Sequence, residues 1–453
     1  MKEKIIIFGT GVQGEKAYEL LSTKHSIACF VDNNSLKWGK MCHGVEIIKP
    51  DNIFDFYDEN TEIVVAVLVN KSICEQLADM GIKKYVIMIN GHIYVGNGKV
   101  NQRCSRCLMT NEADDYILFN EEGICNYCTE AIDNIGNIYF PNKEGEERLE
   151  ELIHKVKCEG KNSKYDCIMG LSGGLDSSYL AYLGYKWGLR VLAIHIDDGY
   201  DTEISKSNLN KLIAKTNFDY EVVTPDAEQF NALTLAYIKA GVPNIAVPQD
   251  NILFAFLYKK MREYGIKYFF SGGNHALESI LQKGHTHDAF DVDNIYDIQK
   301  KFGDNSIDKL EFISRGQKAL DIENLGIITT RALNYIDYNR SRAFDELESF
   351  CGFQYYGRKH LENILTAFIQ LYWFPKKFNV DKRTSHLSSM IASGQITRDE
   401  AMLELKEPLY DDDIMEQYIR VIAKNNGMTY EQFLELVDIV ETHEHSEYST
   451  VSP

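Results

Sequence analysis

Residues 167–178 read Cys167-Ile168-Met169-Gly170-Leu171-Ser172-Gly173-Gly174-Leu175-Asp176-Ser177-Ser178, an apolar strand running into two glycines and then a helix-forming stretch over 179–187. Paired glycines let the backbone turn tightly with its N–H groups outward, and a following helix N-terminus adds the positive end of its dipole. The hydroxyls of Ser172, Ser177 and Ser178 supply further donors, and Asp176 stands where it can organise a Mg²⁺ between phosphate oxygens. With no Gly-Lys-Ser/Thr and no lysine in the loop, this is not the Walker form.

Outward from this loop the chain alternates strand and helix signals. Strands are expected at 165–171, 190–196, 220–223 and 267–270, a series that implies a parallel sheet with helices on its faces. The loop resembles the SGGxDS loop of the PP-loop ATP pyrophosphatases, which holds the β,γ-pyrophosphate while ATP is split to AMP. The strand ending in Asp197-Asp198-Gly199 matches that superfamily's second strand, and Ser271-Gly272-Gly273-Asn274 its later glycine-containing loop. The resemblance implies ATP contacts at Ser172, Gly173, Gly174, Asp176, Ser177, Ser178, Asp197 and Gly272. It also implies catalytic roles for Asp176, Asn274 and Glu278, with ATP and Mg²⁺ as cofactors.

Upstream lies a second βα series, with strands at 5–8, 27–31, 63–69 and 85–89 and helices at 13–21 and 72–80. Gly9-Thr10-Gly11-Val12-Gln13-Gly14 follows the first strand and opens a helix, and Asp32 ends the next strand. That context suits a Rossmann-like phosphate turn, with Gly9, Gly11 and Gly14 around a diphosphate and Asp32 accepting from a ribose hydroxyl. About 98 residues make only one mononucleotide-binding half. The run Phe30-Val31-Asp32-Asn33 with Trp38-Gly39 and Gly44-Val45 resembles the N-terminal domain of bacterial sugar acyltransferases, which implies a nucleotide sugar rather than NAD; a scaffold without ligand is the plainer reading.

Between the two series, Cys104-x-x-Cys107 and Cys125-x-x-Cys128 have the spacing of a four-thiolate zinc ribbon, with 117–119 and Glu122-Gly123 forming the intervening hairpin. Four thiolates leave no open position, so a structural zinc is expected; an iron–sulfur cluster or a redox pair is the alternative. From 342 onward the pattern is helical. The stretch 358–383 is locally basic: Lys376, Lys377, Lys382 and Arg383 are candidates for an anionic substrate, or form a solvated helix face.

The chain of 453 residues carries 48 Lys+Arg against 67 Asp+Glu, a formal charge of −19. A surface of that sign repels nucleic acid unless a basic patch overrides it. No apolar run approaches the roughly 20 residues of a membrane helix, and the N-terminus lacks a cleavable signal pattern. A cytoplasmic protein without membrane insertion is expected. The expected architecture is α/β throughout. It comprises a Rossmann-like sheet (1–98), a zinc-ribbon segment (101–140), a PP-loop domain of adenine nucleotide alpha hydrolase type (141–340), a helical region (341–440) and a flexible tail (441–453).

Cys104-Ser105-Arg106-Cys107-Leu108-Met109, with Phe119-Asn120-Glu121-Glu122-Gly123-Ile124-Cys125-Asn126-Tyr127-Cys128 upstream of the PP-loop, is similar to the N-acetyl sugar amidotransferase family. The likeness continues through 198–203, Val242-Pro243, Pro248-Gln249-Asp250, 264–268, 333–338, 376–378, 381–383 and 393–398. It implies ATP-dependent conversion of an acetamido sugar or nucleotide sugar to an acetamidino sugar through an O-adenylyl imidate, in surface-polysaccharide, lipopolysaccharide, flagellin-glycan or nonulosonic-acid biosynthesis. The chain departs from the family at Lys283-Gly284-His285-Thr286-His287-Asp288, where a proline- and aromatic-rich turn is expected. His285 and His287 read there as a metal or acid/base pair, or as an ordinary loop. No Gly-x-Cys-x-Gly elbow is present and position 2 is Lys2, so ammonia is expected from a separate glutaminase with its channel subunit, or free in solution. A tRNA-thiolating PP-loop enzyme is the rival reading.

Overall fold

The computed structural model describes residues 1–68, 70–95, 101–112, 114 and 116–448. Contacts divide the chain into two compact units, Met1–Glu130 and Ala131–Pro453.

The first unit carries β1 (Lys4–Phe8), α1 (Val12–Leu21), β2 (Ser26–Val31), β3 (Met41–Cys42), β4 (Val45–Ile48), β5 (Thr61–Val65), α2 (Lys71–Asp79), β6 (Val86–Ile89) and β7 (His92–Val95). Its sheet has the order β3-β4-β2-β1-β5-β6-β7, parallel from β4 to β6 with antiparallel edges at β3 and β7. Side chains alternate across a strand. Ile5 and Ile7 therefore join Ala17 and Leu21 of α1 on one face, while Ile6 and Phe8 join Ile73 and Leu77 of α2 on the other. The strand expected over 63–69 ends at Val65; Val69, like the expected domain limit at 98, lies outside the described residues.

Residues 101–130 belong with this sheet rather than standing apart. Val95 N–H donates to the Phe119 carbonyl (2.9 Å), and Leu118 packs on the core of the α2 face. Both knuckles form short hairpins, with bridges Arg103↔Thr110 and Phe119↔Cys125, and α3 (Asn126–Asp133) begins inside the second.

The second unit contains α4 (Lys143–Glu159), β8 (Cys167–Gly170), α5 (Leu175–Lys186), β9 (Val191–Ile196), α6 (Glu203–Thr216), β10 (Asp219–Val223), α7 (Ala227–Lys239), α8 (Val247–Tyr264), β11 (Tyr268–Phe270), α9 (His275–Glu278), α10 (Val292–Phe302), α11 (Arg315–Leu325) and β12 (Ile328–Thr330). The sheet is fully parallel in the order β10-β9-β8-β11-β12. The order reverses between β8 and β11, the switch point at which open α/β sheets bind ligands beyond their strand ends. Ile168, Leu192 and Ile194 pack against Leu257 and Met261 of α8.

The remainder is helical: α12 (Arg340–Cys351), α13 (Ile364–Phe368), a π turn (Ile369–Trp373), α14 (Phe374–Phe378), α15 (Arg383–Ala392), α16 (Arg398–Glu404), α17 (Asp412–Asn425) and α18 (Tyr430–Ile439). The flexible tail expected from 441 is corrected over its described part. His445 is buried and ring-stacked on His287, and it accepts from the Asn244 N–H (3.2 Å); Tyr448 is buried as well. A polar composition hid these anchors; residues 449–453 lie outside the described residues.

Candidate functional site

The phosphate loop crosses from β8 to α5 at the switch point. Gly173 has φ +77°, and a Cβ there would meet the Ser205 carbonyl at 2.7 Å. A Cβ at Gly174 would meet Glu362 Oε1 at 2.5 Å, and one at Gly272 would lie 3.1 Å from Ser177 N. Three glycines thus let two loops and Glu362 converge on one helix N-terminus. Ser172 Oγ donates to Glu362 Oε1 (3.1 Å), accepts from Gly174 N–H (3.2 Å) and lies 3.3 Å from Ser177 Oγ. The Leu175 N–H donates to the phenol oxygen of Tyr356 (2.8 Å).

Asp176 is gripped from both sides: Tyr338 OH donates to Oδ1, and the Lys359 ammonium pairs with Oδ2. The same ammonium lies 3.1 Å from Glu278 Oε1, with His360 Nε2 at 3.5 Å. Burial works to raise the Glu278 pKa, but the charges of Lys359 and His360 reverse this and hold it well below the usual carboxylate range. His360 has φ +63°, an uncommon conformation for a side-chain-bearing residue.

Two cavities meet here. A small one of about 160 Å³ is lined by Ser172, Gly174, Asp176, Ser177, Gly272, Glu278, Arg340 and Lys359, among others. A larger one of about 530 Å³ is lined by Leu171, His195, Asp201, Asp250, His285 and Lys382, with the π turn contributing Ile369 and Gln370. Ser172, Gly272, His360 and Glu362 border both. Glu362 is buried and its Oε2 has no hydrogen-bond partner, so a buried carboxylate oxygen is left available for a cation at the junction.

In the larger cavity His195 Nδ1 lies 2.8 Å from the Leu171 carbonyl and Nε2 lies 2.7 Å from Asp201 Oδ2. Both partners only accept, so both ring nitrogens donate and the imidazole is protonated. Burial works to lower its pKa, and the Asp201 hydrogen bond and charge more than reverse that. Asp198 is buried beneath this wall, held by Asn363 (3.2 Å) and Gln249, and burial pushes its pKa up to about 6.

Several expected residues sit elsewhere. Ser178 is fully buried and lines neither cavity, without a partner for its hydroxyl. Asp197 borders neither cavity and accepts from Gly199 N–H (3.2 Å). Asn274 is buried as the cap of α9, accepting from Leu277 N–H (2.9 Å) and donating to the Gly272 carbonyl (3.2 Å), which makes it a positioning residue.

Of the four basic candidates, only Lys382 lines the large cavity. Lys376 pairs with Asp438, Lys377 donates to the Val440 carbonyl (2.6 Å), and Arg383 pairs with Asp381 (2.7 Å) and donates to the Glu407 carbonyl (2.9 Å). Their charges tie helices together, which local charge density does not distinguish from ligand binding. The two histidines also part company. His285 lines the cavity against Phe374 and Phe378, its pKa pushed down to about 4 by burial and by Lys382. His287 turns to Asp291 (3.1 Å) and His445.

In the first unit Gly9 has φ +110°, and a Cβ at Gly14 would lie 2.1 Å from the Gly9 carbonyl. That is the close strand–helix approach a phosphate turn requires. A Cβ at Gly11 meets nothing within 4 Å. Asp32 is already engaged: Thr10 N–H (3.2 Å), Thr10 OH and Lys37 (2.9 Å) bond Oδ2, and Asn34 N–H (2.9 Å) bonds Oδ1. Burial works to raise its pKa and these donors bring it below the ordinary value. A ribose hydroxyl therefore has to compete with Lys37.

Cys104, Cys107, Cys125 and Cys128 are buried with their sulfurs all within 4.8 Å of one another. The Cys104–Cys128 and Cys107–Cys125 separations are 3.9 and 3.7 Å, and backbone N–H groups of Cys107 and Cys125 point at Cys104 Sγ (3.4 and 3.3 Å).

Sequence reasoning missed Lys359, Tyr338, Tyr356, Arg340, Glu362 and the His195–Asp201 pair. The signature runs at 198–203 and 333–338 contain Asp201 and Tyr338, so that resemblance was the available signal for those two.

Residues 362–452 match the family described as LPS biosynthesis protein WbpG-like, C-terminal domain, and residues 1–88 match the family C2185-like, N-terminal. Among curated proteins, a 7-cyano-7-deazaguanine synthase of Nitratiruptor sp. is 36% identical over 90 residues, 19% of this chain and 37% of that protein. An uncharacterized protein of Methanocaldococcus jannaschii is 29% identical over 126 residues, 27% of this chain and 43% of the relative. The chain thus spans about two-fifths of the length of these relatives. A solved U34-tRNA thiolase, NcsA of Methanococcus maripaludis, is 13% identical with TM-score 0.26, covering 76% of this chain and 91% of that one, a likeness too low to extend to function. Residues 362–452 thus carry a WbpG-like C-terminal domain, placed after a glycine loop whose geometry is of the PP-loop kind. No helix among the described residues is long and apolar enough to cross a membrane.

Proposed function

We propose that the protein is an ATP-dependent amidotransferase that converts the N-acetyl group of a sugar or nucleotide sugar to an acetamidino group. The observation that carries this reading is the pair of adjoining cavities sharing Ser172, Gly272, His360 and Glu362. Activating an amide requires its oxygen to reach the α-phosphorus while pyrophosphate is held apart. The small cavity, with its helix N-terminus, Arg340 and Lys359, suits pyrophosphate. The large one has room for a sugar and is walled partly by residues of the WbpG-like match.

Glu362, whose Oε2 lacks a partner, would hold Mg²⁺ on the small cavity it lines together with Asp176, where the ion would neutralise phosphate charge. A zinc ion fits the four cysteines. Thiolates about 2.3 Å from one tetrahedral ion stand about 3.8 Å apart, close to the Cys104–Cys128 and Cys107–Cys125 separations, whereas a cubane cluster holds its four sulfurs on separate irons and farther apart. The Gly9–Gly14 turn is assigned to the diphosphate of a nucleotide sugar, and ammonia comes from a partner glutaminase or from solution. A surface of charge −19 disfavours the tRNA-thiolating alternative.

The test is incubation with ATP, ¹⁵N-ammonium and a panel of acetamido nucleotide sugars. Mass spectrometry should find ¹⁵N in an acetamidino product; no incorporation with any acetamido sugar would refute the reading.

A further inference from the structure

Asp250 stands in the first turn of α8, its carboxylate on the wall of the large cavity. It is exposed by surface area yet enclosed by protein, because the surface it is exposed to belongs to the cavity. Unlike Asp201 on the same cavity wall and Asp198 buried beneath it, Asp250 has no side-chain hydrogen bond among the described residues. Asp198 is tied to Asn363 and Gln249, and Asp201 to His195. The helix N-terminus favours its anion, whereas burial opposes it and raises the pKa to about 6, with the His360 charge acting the other way. The charged and titratable groups lining the cavity around it are His195 with Asp201, His285, His360, Glu362 and Lys382. Among them the imidazolium His195 is already committed as a donor on both nitrogens, and Lys382 can only donate. His285 has lost most of its basicity to burial.

We infer that Asp250 is the general base of the second half-reaction, accepting the proton that the incoming ammonia nitrogen sheds. The inference rests on the amidotransferase reading above. In that step the ammonia lone pair forms a C–N bond to the imidate carbon, and the attacking nitrogen becomes cationic. One of its protons passes to the Asp250 carboxylate. The C–O bond to AMP then breaks, its electron pair leaving on the phosphate oxygen, so that a neutral amidine, AMP and a protonated Asp250 result. The amidine, a far stronger base than a carboxylate, takes that proton and restores the anion. A base near its working pH is the efficient arrangement for such a transfer.

The test compares Asp250→Asn with the native enzyme in two half-reactions and with two nucleophiles. Sugar-dependent exchange of labelled pyrophosphate into ATP should persist within about threefold. Ammonia-dependent amidine formation should fall about 100-fold. Hydroxylamine, whose attacking nitrogen is far less basic and gives its proton to water, should still yield product near the native rate, which also reports a folded site. Asp250→Glu should recover part of the ammonia reaction. Native-rate amidine formation by Asp250→Asn, or parallel loss of exchange and amidine formation, would overturn the assignment. Absence of sugar-dependent exchange in the native enzyme would instead remove the function reading on which it stands.

Discussion

Asp176 and Lys359, 183 residues apart in sequence, form a largely enclosed ion pair at the N-terminus of α5, and the same ammonium reaches Glu278. A cation between two carboxylates solves an electrostatic problem that the loop alone creates. Two acids stand beside the small cavity proposed for pyrophosphate, and their charges need compensation there.

Lys359→Met should therefore unbalance the site. Losing one partner of such a buried cluster costs about 3 kcal/mol, read by chemical denaturation, and millimolar Mg²⁺ should recover part of it. The pH dependence follows from Glu278. Its folded pKa is depressed, so its stabilisation is present above the ordinary carboxylate value and lost as pH falls toward the folded one. Without Lys359 burial pushes the Glu278 pKa up, so this acid-side loss should shrink or disappear, and stability should instead be lost as pH rises through the raised folded value. An unchanged acid limb would contradict the assignment.

Arg340→Ala and Arg383→Ala should separate ligand binding from architecture. Arg340 lines the phosphate cavity, so its loss should raise the KM for ATP about tenfold with little change in melting temperature. Arg383 is bound to Asp381 and two carbonyls, and its loss should lower stability by about 2 kcal/mol with the ATP KM unchanged. The opposite pattern would return Arg383 to the candidate binding residues.

That contrast marks what sequence could and could not carry. The loop at 172–178 and the cysteine knuckles were legible because strand, glycines, helix and ligand spacing are local. Lys359 and Glu362 acquire their roles only when the connection between α12 and α13 reaches the loop after β8, and no local pattern marks them. Lys376, Lys377 and Arg383 shared a basic run, but packing sent each side chain to a carbonyl or carboxylate. Ser178 sits one residue beyond the useful part of the loop, where the helical turn carries it inward.

Gly14→Ala and Gly11→Ala should differ sharply in the first unit. A Cβ at Gly14 collides with backbone at 2.1 Å, so the substitution should destabilise by about 2–3 kcal/mol. Gly11→Ala has open space and should leave the melting curve unchanged while weakening binding of a nucleotide-sugar diphosphate, measured by calorimetry. Equal stability of the two variants would contradict the close approach.

The cysteine cluster should hold about one zinc per chain by elemental analysis. Cys125→Ser should lose the metal and lower stability before it alters the chemistry of the second unit. Iron with visible absorption and no zinc would overturn the single-ion assignment.

The central claim is that an acetamido oxygen attacks the α-phosphorus of ATP and leaves with AMP. Its most direct test uses an acetamido nucleotide sugar labelled with ¹⁸O in the carbonyl, turned over with ATP and ammonium, with products resolved by mass spectrometry. The account predicts one ¹⁸O atom in the phosphate of AMP, unlabelled pyrophosphate, and an acetamidino sugar free of label. Release of ADP and phosphate, or ¹⁸O retained in the sugar product, would contradict it.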